Sequence, residues 1–329
     1  MKKLINNASN AVAEMLKGIA KAHPSVLYSG DDTRVISRKE KKQGKVGLVS
    51  GGGAGHEPAH AGYVGLGMLD AAVSGNVFAS PGPDQILEGI RAANCGAGVL
   101  MIVKNYSGDI MNFEMAAELA EMEGIKVDSV VVKDDVAVMD STYSTGRRGI
   151  AGTVFVHKIA GAAAEEGNPL EAIKAIAQKT IGNMRSMGVA ITPCTIPGAK
   201  NSGFSIADDE IEIGMGIHGE PGITKEKISE AASIARKLVD KILEDYDYSG
   251  SEVAVMVNGL GGTPLMELYI MYHEVDKILR EKGIGTYRSF VGNYMTSLEM
   301  AGCSVTLLKL DDNLKQYLDA PADTPTIKV

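Results

Sequence analysis

"LVSGGGAGHEPAH", residues 48–60, runs a short apolar segment into three consecutive glycines and then into Gly55-His56-Glu57-Pro58. An apolar run ending in glycines reads as a strand feeding a Gly-rich loop, and such loops commonly cradle phosphate with backbone amides. A Walker-type loop needs a Lys and a Ser or Thr after its glycines, for the phosphates and the magnesium. Here His56-Glu57-Pro58 follows instead. The dinucleotide pattern GxGxxG fails too, because His56 stands where the third glycine belongs. Two readings remain. One is a Gly-rich turn carrying a surface histidine. The other is backbone held close to a small polar ligand, with His56 beside it and Pro58 in the first turn of a helix.

Around this stretch, strand and helix signals alternate. "KVGLVS" (45–50) reads as a strand, "DQILEGIRAAN" (84–94) as a helix, and "GVLMIV" (98–103) as a buried strand. "DIMNFEMAAELAEMEG" (109–124) reads as a helix with Asp109 as N-cap and Gly124 as stop, and "KVDSVVV" (126–132) as the next strand. That alternation predicts an α/β fold whose first sheet is largely parallel and flanked by helices. Two helical stretches follow, "AGTVFVHKIAGAAAEEG" and "PLEAIKAIAQKTIGNMRSM". The texture then shifts to β-type runs rich in Pro and Gly over 189–222. A domain boundary is therefore expected near residue 185. Residues 1–185 form an N-terminal α/β domain with the Gly-rich loop, and residues 186–329 a smaller mixed-sheet α/β domain. Its expected elements are a helix over 224–245, a strand "EVAVMVNGLGG", a helix "PLMELYIMYHEVDKILREKG" and two strands, "TYRSFV" and "SVTLLKL".

Composition bounds the function. The chain has 329 residues, 45% hydrophobic and 22% charged, with net charge −8 and no Trp. No basic stripe interleaves with aromatics, so nucleic acid is not expected as a partner. No apolar run approaches the length of a membrane span. "MKKLINNASNAVAEMLKGIAKAH" places Val12, Met15, Leu16 and Ile19 at helical spacing, so it reads as an amphipathic helix rather than a leader. Cys95, Cys194 and Cys303 are widely spaced, which points to a reducing compartment, the cytoplasm.

Three places carry candidate chemistry. The first is the Gly-rich stretch with His56. The second is "VKNYSGD" (103–109), where Lys104 and Asp109 follow a buried strand. Polar residues at the carboxyl ends of parallel strands are good site candidates. Lys104 suits a substrate oxygen, and Asp109 suits either a hydroxyl proton or a helix cap. The third is "GMGIHGEPG" (214–222), where glycines surround His218 and leave its imidazole room to act as base, metal ligand or nucleophile. "GHEP" (55–58) and "HGEP" (218–221) echo each other, by chance or as two parts of one site. His60 lies four residues after His56, a spacing that suits a metal pair on a helix, but Pro58 intervenes and no third ligand declares itself. His157 reads as a core residue of an apolar helix. Arg147 and Arg148 precede that helix, as helix-start or interface charge or as a partner for phosphate.

Taken in order, "GLVSGGGAGHEPAHAG", "NVFASP", "VKNYSGD", "RRGIAGT", "GIHGEPG", "VNGLGGTPLMELY" and "VGNYMTSLEMAG" resemble the substrate-binding subunit of the dihydroxyacetone kinase family. The resemblance covers nearly the whole chain. It implies that dihydroxyacetone is the substrate, that His218 bonds to its carbonyl carbon as a hemiaminal, and that Asp109 and His56 activate its hydroxyl. Gly53 and Lys104 match substrate contacts, in a loop completed by Ala54 and Gly55. Ala54 stands where Ser is as frequent. The resemblance further implies no cofactor or metal in this chain. In the split systems a separate helical subunit carries ADP and Mg2+ and is recharged by a phosphotransferase protein, and the substrate-binding subunit is a homodimer. The family also contains sensors that act as transcriptional co-activators, so that reading stands beside the enzyme.

Overall fold

The computed structural model describes residues 2–139, 146–200, 202 and 205–329. These form two compact units, one made of Met1–Val132, Thr153–Ile181 and Leu314–Val329, the other of Lys133–Gly152 and Gly182–Asn313. The change of texture near 185 falls beside this division, but two segments cross it. Lys133–Gly152 is tied into the second unit, where Val136 donates to the Ser186 carbonyl and Arg148 to that of Gly214. The last residues are tied into the first, where Leu66 and Asp323 exchange backbone hydrogen bonds and Lys158 donates to the Tyr317 carbonyl.

The first unit holds six strands among the described residues: Val26–Tyr28 (β1), Val35–Arg38 (β2), Gly47–Ala54 (β3), Ala71–Val77 (β4), Val99–Lys104 (β5) and Val127–Val132 (β6). Their order is β1-β2-β4-β3-β5-β6, with β4, β3, β5 and β6 parallel and the β1–β2 and β2–β4 pairs antiparallel. Its helices are Ala11–Ala22 (α1), Pro83–Ala93 (α2), Ser107–Met122 (α3), Thr153–Glu165 (α4) and Leu170–Gly182 (α5). Ile86 and Ile90 of α2 and Phe113, Ala116 and Ala120 of α3 pack on Val49, Val73, Val99, Met101 and Val103 of the sheet. The chain leaves β3 toward β4 on one side and leaves β5 through α3 toward β6 on the other. Ligands of open parallel sheets sit at such a switch point, outside the carboxyl ends of the two strands.

The glycines of the opening stretch are strand rather than loop. Gly51 pairs with Val73 and Gly52 with Ser74, and all of β3 is buried. A side chain here has no room. A Cβ on Gly51 would lie 2.5 Å from the Val73 carbonyl oxygen, and one on Gly53 would lie 2.5 Å from the Ala79 nitrogen and 2.7 Å from Phe78 Cα. Helix α3 begins at Ser107 rather than after an Asp109 cap, so Asp109 sits in its first turn and Tyr106 at the N-cap. The Asp109 carboxylate turns to Lys104 instead.

The second unit has strands Met184–Thr192 (β7), Glu210–Ile213 (β8), Thr224–Lys227 (β9), Glu252–Gly259 (β10), Gly285–Gly292 (β11) and Ala301–Leu310 (β12) among the described residues. Their order is β11-β10-β12-β7-β8-β9. Only β10–β11 is parallel, so the sheet is mixed as the sequence predicts. Helices Ala231–Asp245 (α6) and Leu265–Glu281 (α7) cover one face, with Ile234, Leu238, Val275 and Ile278 against Val253, Val255, Val257, Val305 and Leu307. The helix expected from 224 starts at 231 because Thr224–Lys227 pairs with β8 instead. Charge alternation supports that pairing: Lys225 lies opposite Glu212 and Lys227 opposite Glu210. A short helix, Asp312–Asp319 (α8), follows β12 and carries no strong sequence signal. Among the described residues no helix is long and apolar enough to cross a membrane.

The close approach at Gly53 has a measurable cost. Gly53→Ala is expected to lose about 1–3 kcal/mol of stability in urea denaturation, because both contacts are backbone and cannot swing away. Gly18→Ala, in open space on α1, should gain about 0.5–1 kcal/mol. Equal effects at the two positions would show that packing does not select glycine at 53.

Candidate functional site

Lys104, the last residue of β5, is fully buried, and its ammonium has three protons to place. The structure supplies three acceptors. Nζ donates to the Gly51 carbonyl at 3.2 Å, to Asp109 Oδ2 at 3.2 Å and to His60 Nε2 at 3.3 Å. Gly52 makes room for this arrangement, since a Cβ there would lie 2.4 Å from Nζ. Asp109 is itself only 5% exposed. Removing one partner of such a buried pair leaves an uncompensated charge and costs about 3–5 kcal/mol. The pair therefore holds a carboxylate in a defined place at the carboxyl end of the parallel sheet.

His60 and His157 extend this cluster inward. His60 Nδ1 lies 3.0 Å from His157 Nε2 and 3.4 Å from Ser50 Oγ, whose proton goes to the Ile102 carbonyl at 2.6 Å. Burial, then the charge of Lys104, holds His60 well below the ordinary imidazole pKa. The same two causes push His157 down to about 3. Both rings are neutral at pH 7. The ammonium beside His60 Nε2 occupies the position a metal would need, so the His56–His60 spacing does not form a metal pair.

His56 is fully buried rather than on the surface, and its ring stacks on Phe78 with centroids 5.1 Å apart and planes 26° apart. Phe78 has a left-handed φ of 58° and donates its N–H to the Ala54 carbonyl, which closes the turn beside Gly53. Gly55 donates its N–H to both carboxylate oxygens of Glu57, at 3.0 and 3.1 Å. Burial raises the Glu57 pKa. Thus Gly53, Ala54, Gly55 and His56 form one continuous wall ending β3, while Lys104 and Asp109 come from β5 and α3.

His218 belongs to the second unit, in the turn between β8 and β9. Its Nδ1 lies 3.0 Å from Glu220 Oε1, and its backbone N–H donates to Glu220 Oε2 at 2.8 Å. Burial opposes ionisation of Glu220, but the hydrogen bonds and charge of His218 prevail and hold its pKa at about 2. An ionised carboxylate at Nδ1 requires a proton there and places the neutral ring's lone pair on Nε2. The turn is braced from below. Arg148 pairs with Asp135 at 2.7 Å and donates to the Gly214 carbonyl at 2.7 Å. Gly216 leaves room for these two groups, since a Cβ would lie 2.1 Å from Glu220 Oε2 and 2.5 Å from Arg148 Nη1 and would displace both side-chain ends. Arg148 is thus a brace, and Arg147 pairs with Asp245.

The family model described as "Dak1 domain" matches residues 17–326. The chain belongs to the Dak1 domain family. It is 56% identical to the Listeria innocua "PTS-dependent dihydroxyacetone kinase 1, dihydroxyacetone-binding subunit DhaK" over 98% of this chain and 99% of that protein. Among solved structures it is similar to the C. freundii dihydroxyacetone kinase, at TM-score 0.90 and 37% identity, covering 99% of this chain and 60% of that one. It is also similar to "Dihydroxyacetone kinase operon co-activator Dha-DhaQ", at TM-score 0.89 and 39% identity, covering 94% of this chain and 96% of that one. In this Dak1 chain, sequence reasoning picks out Lys104, Asp109, His56 and His218 but misses the groups that orient them. His157 reads only as core, and nothing in the spacing links it to His60. Glu220 had a signal in hindsight, because a carboxylate two residues after a histidine in a Gly-rich turn can reach back to it.

The Glu220 carboxylate also gives a pH signature. Its folded pKa of about 2 lies below the ordinary 4.5, so the unfolded chain takes up the proton first as pH falls. The stabilisation is therefore complete above about pH 4.5 and lost as pH falls toward about 2. In thermal melts between about pH 6 and about pH 3, the Tm gap between wild type and Glu220→Gln should narrow. A gap independent of pH would remove the ionised pair from the account of this turn.

Proposed function

We propose that this chain binds dihydroxyacetone and serves as the substrate-binding subunit of a split dihydroxyacetone kinase. The observation that carries this reading is the pairing of His218 Nδ1 with the ionised Glu220, which makes Nε2 a nucleophile. Nε2 forms the bond to the carbonyl carbon, the π pair moves to oxygen, and that oxygen takes a proton from solvent. The Nδ1 proton stays on the ring, where the Glu220 carboxylate balances the imidazolium charge. A reversible bond of this kind selects a ketone over glycerol, which has no carbonyl to attack.

Asp109 and His56 then activate the terminal hydroxyl for attack on phosphorus, one of them taking its proton. Gly53 and Lys104 are the substrate contacts, with Ala54 and Gly55 shaping the wall. Lys104 meets a substrate oxygen by exchanging one of its three present acceptors. The phosphoryl group comes from a separate helical subunit that carries ADP and Mg2+ and is recharged by a phosphotransferase protein. The substrate-binding chain acts as a homodimer in the cytoplasm. The near-complete coverage of a relative named as such a subunit supports this reading. The likeness to a named co-activator favours, as second reading, a non-enzymatic sensor of the same ligand.

Product formation from dihydroxyacetone decides the matter, measured with the chain alone and with the helical subunit and its phosphoryl donor. Product is expected only in the complete mixture. Product from the chain with ATP alone would sink the split-subunit reading, and none from the complete mixture would favour the sensor. Asp109→Asn should lower kcat by about 100- to 10,000-fold while ketone binding is kept. In NMR of carbonyl-labelled dihydroxyacetone, wild type should move the ketone resonance into the tetrahedral range. His218→Ala should leave it unmoved and bind more weakly, with an unchanged circular dichroism spectrum. Equally tight binding by His218→Ala would overturn the hemiaminal.

A further inference from the structure

We infer that His60 is a positioning residue of the kinase reaction: it aims the Lys104 ammonium, and through it the Asp109 carboxylate, by accepting a hydrogen bond from Lys104 at Nε2. This rests on the kinase reading above. His60 is 4% exposed, yet both its ring nitrogens face polar partners. Two separate lines fix its tautomer. Lys104 is an ammonium and only donates, so Nε2 must be the acceptor. At the other nitrogen, the Ser50 proton is committed to the Ile102 carbonyl, so Ser50 Oγ can only accept from Nδ1–H. Both lines place the proton on Nδ1 and the lone pair on Nε2.

His157 Nε2 accepts from His60 Nδ1–H, so the proton of His157 is on Nδ1. This atom is buried and has no hydrogen-bond partner among the described residues. An unpartnered buried donor costs about 1–3 kcal/mol. A core position with no further task would be filled better by an apolar ring, and Tyr63, whose ring centroid lies 6.0 Å away, already supplies aromatic packing. The chain Asp109–Lys104–His60–His157 thus keeps a neutral acceptor under a buried cation. Without it, the ammonium has Gly51 and Asp109 alone, and one of its protons lacks a partner. The carboxylate that meets the substrate hydroxyl then loses its fixed anchor, and small misplacements of a reacting group cost about 100-fold in rate.

The test uses two amides of different reach. His60→Gln can place its carbonyl where Nε2 lies, and His60→Asn reaches only the Nδ1 position. Both are polar and fit the space of the ring. With the helical subunit and donor present, His60→Asn should lose about 100-fold in kcat, whereas His60→Gln should stay within about 5-fold of wild type. KM and the carbonyl NMR shift should change much less, because the carbonyl is captured by His218. The two amides also differ by a methylene, so their thermal stabilities are read beside the rates: a role in packing alone would lower the Tm of His60→Asn and leave kcat of the folded enzyme alike in the two variants. Equal kcat for Asn and Gln overturns the inference, while absence of product from wild type itself overturns the kinase reading and this inference with it. If His60→Asn does not fold, His157→Phe decides: it keeps the ring and removes the acceptor of His60 Nδ1–H. A kcat loss of several-fold at nearly constant KM supports positioning, and an unchanged kcat overturns it.

Discussion

A buried ammonium must place three protons, and much of the first unit is arranged around that demand. Lys104 ends a strand whose residues are all buried, so water cannot solvate it. Its acceptors come from three elements: the Gly51 carbonyl on β3, Asp109 on α3, and His60 on the segment that leaves β3. The parallel pairing of β3 with β5 brings the first and the cation side by side. The start of α3 at Ser107 turns Asp109 back over the strand. Gly52 leaves the space that the ammonium fills. Each feature has a local cause, and the charge binds them into one requirement.

The second unit solves a different problem with similar means. It holds a neutral imidazole with the proton fixed on one ring nitrogen and the lone pair on the other. Glu220 supplies the acceptor, and it stays ionised because His218 offers it both a ring and a backbone N–H. Arg148 and Asp135 brace the backbone of this turn. Glycine at 216 leaves the space that the ends of the carboxylate and guanidinium side chains occupy. Gly-rich words in the two units therefore share one physical logic: they admit charged groups close to the backbone rather than a phosphate.

The sequence carries the α/β alternation, the parallel first sheet, the mixed second sheet and the residue types of both clusters. Strand β5 and helix α2 are legible because their apolar periods are long and uninterrupted. The extent of β3 is not, because glycine has low strand propensity and only the neighbouring backbone at Val73, Phe78 and Ala79 shows why it is needed. The strand at Thr224–Lys227 is equally hidden. Its four residues are all polar, and what holds them is the backbone ladder with β8, in a register that sets Lys225 and Lys227 opposite Glu212 and Glu210, rather than an apolar pattern.

By itself the sequence determined which chemistry is present: a histidine among glycines, a lysine and an aspartate at a strand end, and no phosphate-loop lysine. Periodicity and composition suffice for that, since they depend on neighbours along the chain. Only the tertiary structure decided which atoms face one another. The proton positions on His60, His157 and His218 follow from partners that can be anywhere from two to 97 residues away. A tautomer is a property of what each nitrogen faces, and no pattern along a single chain encodes that before the chain has folded.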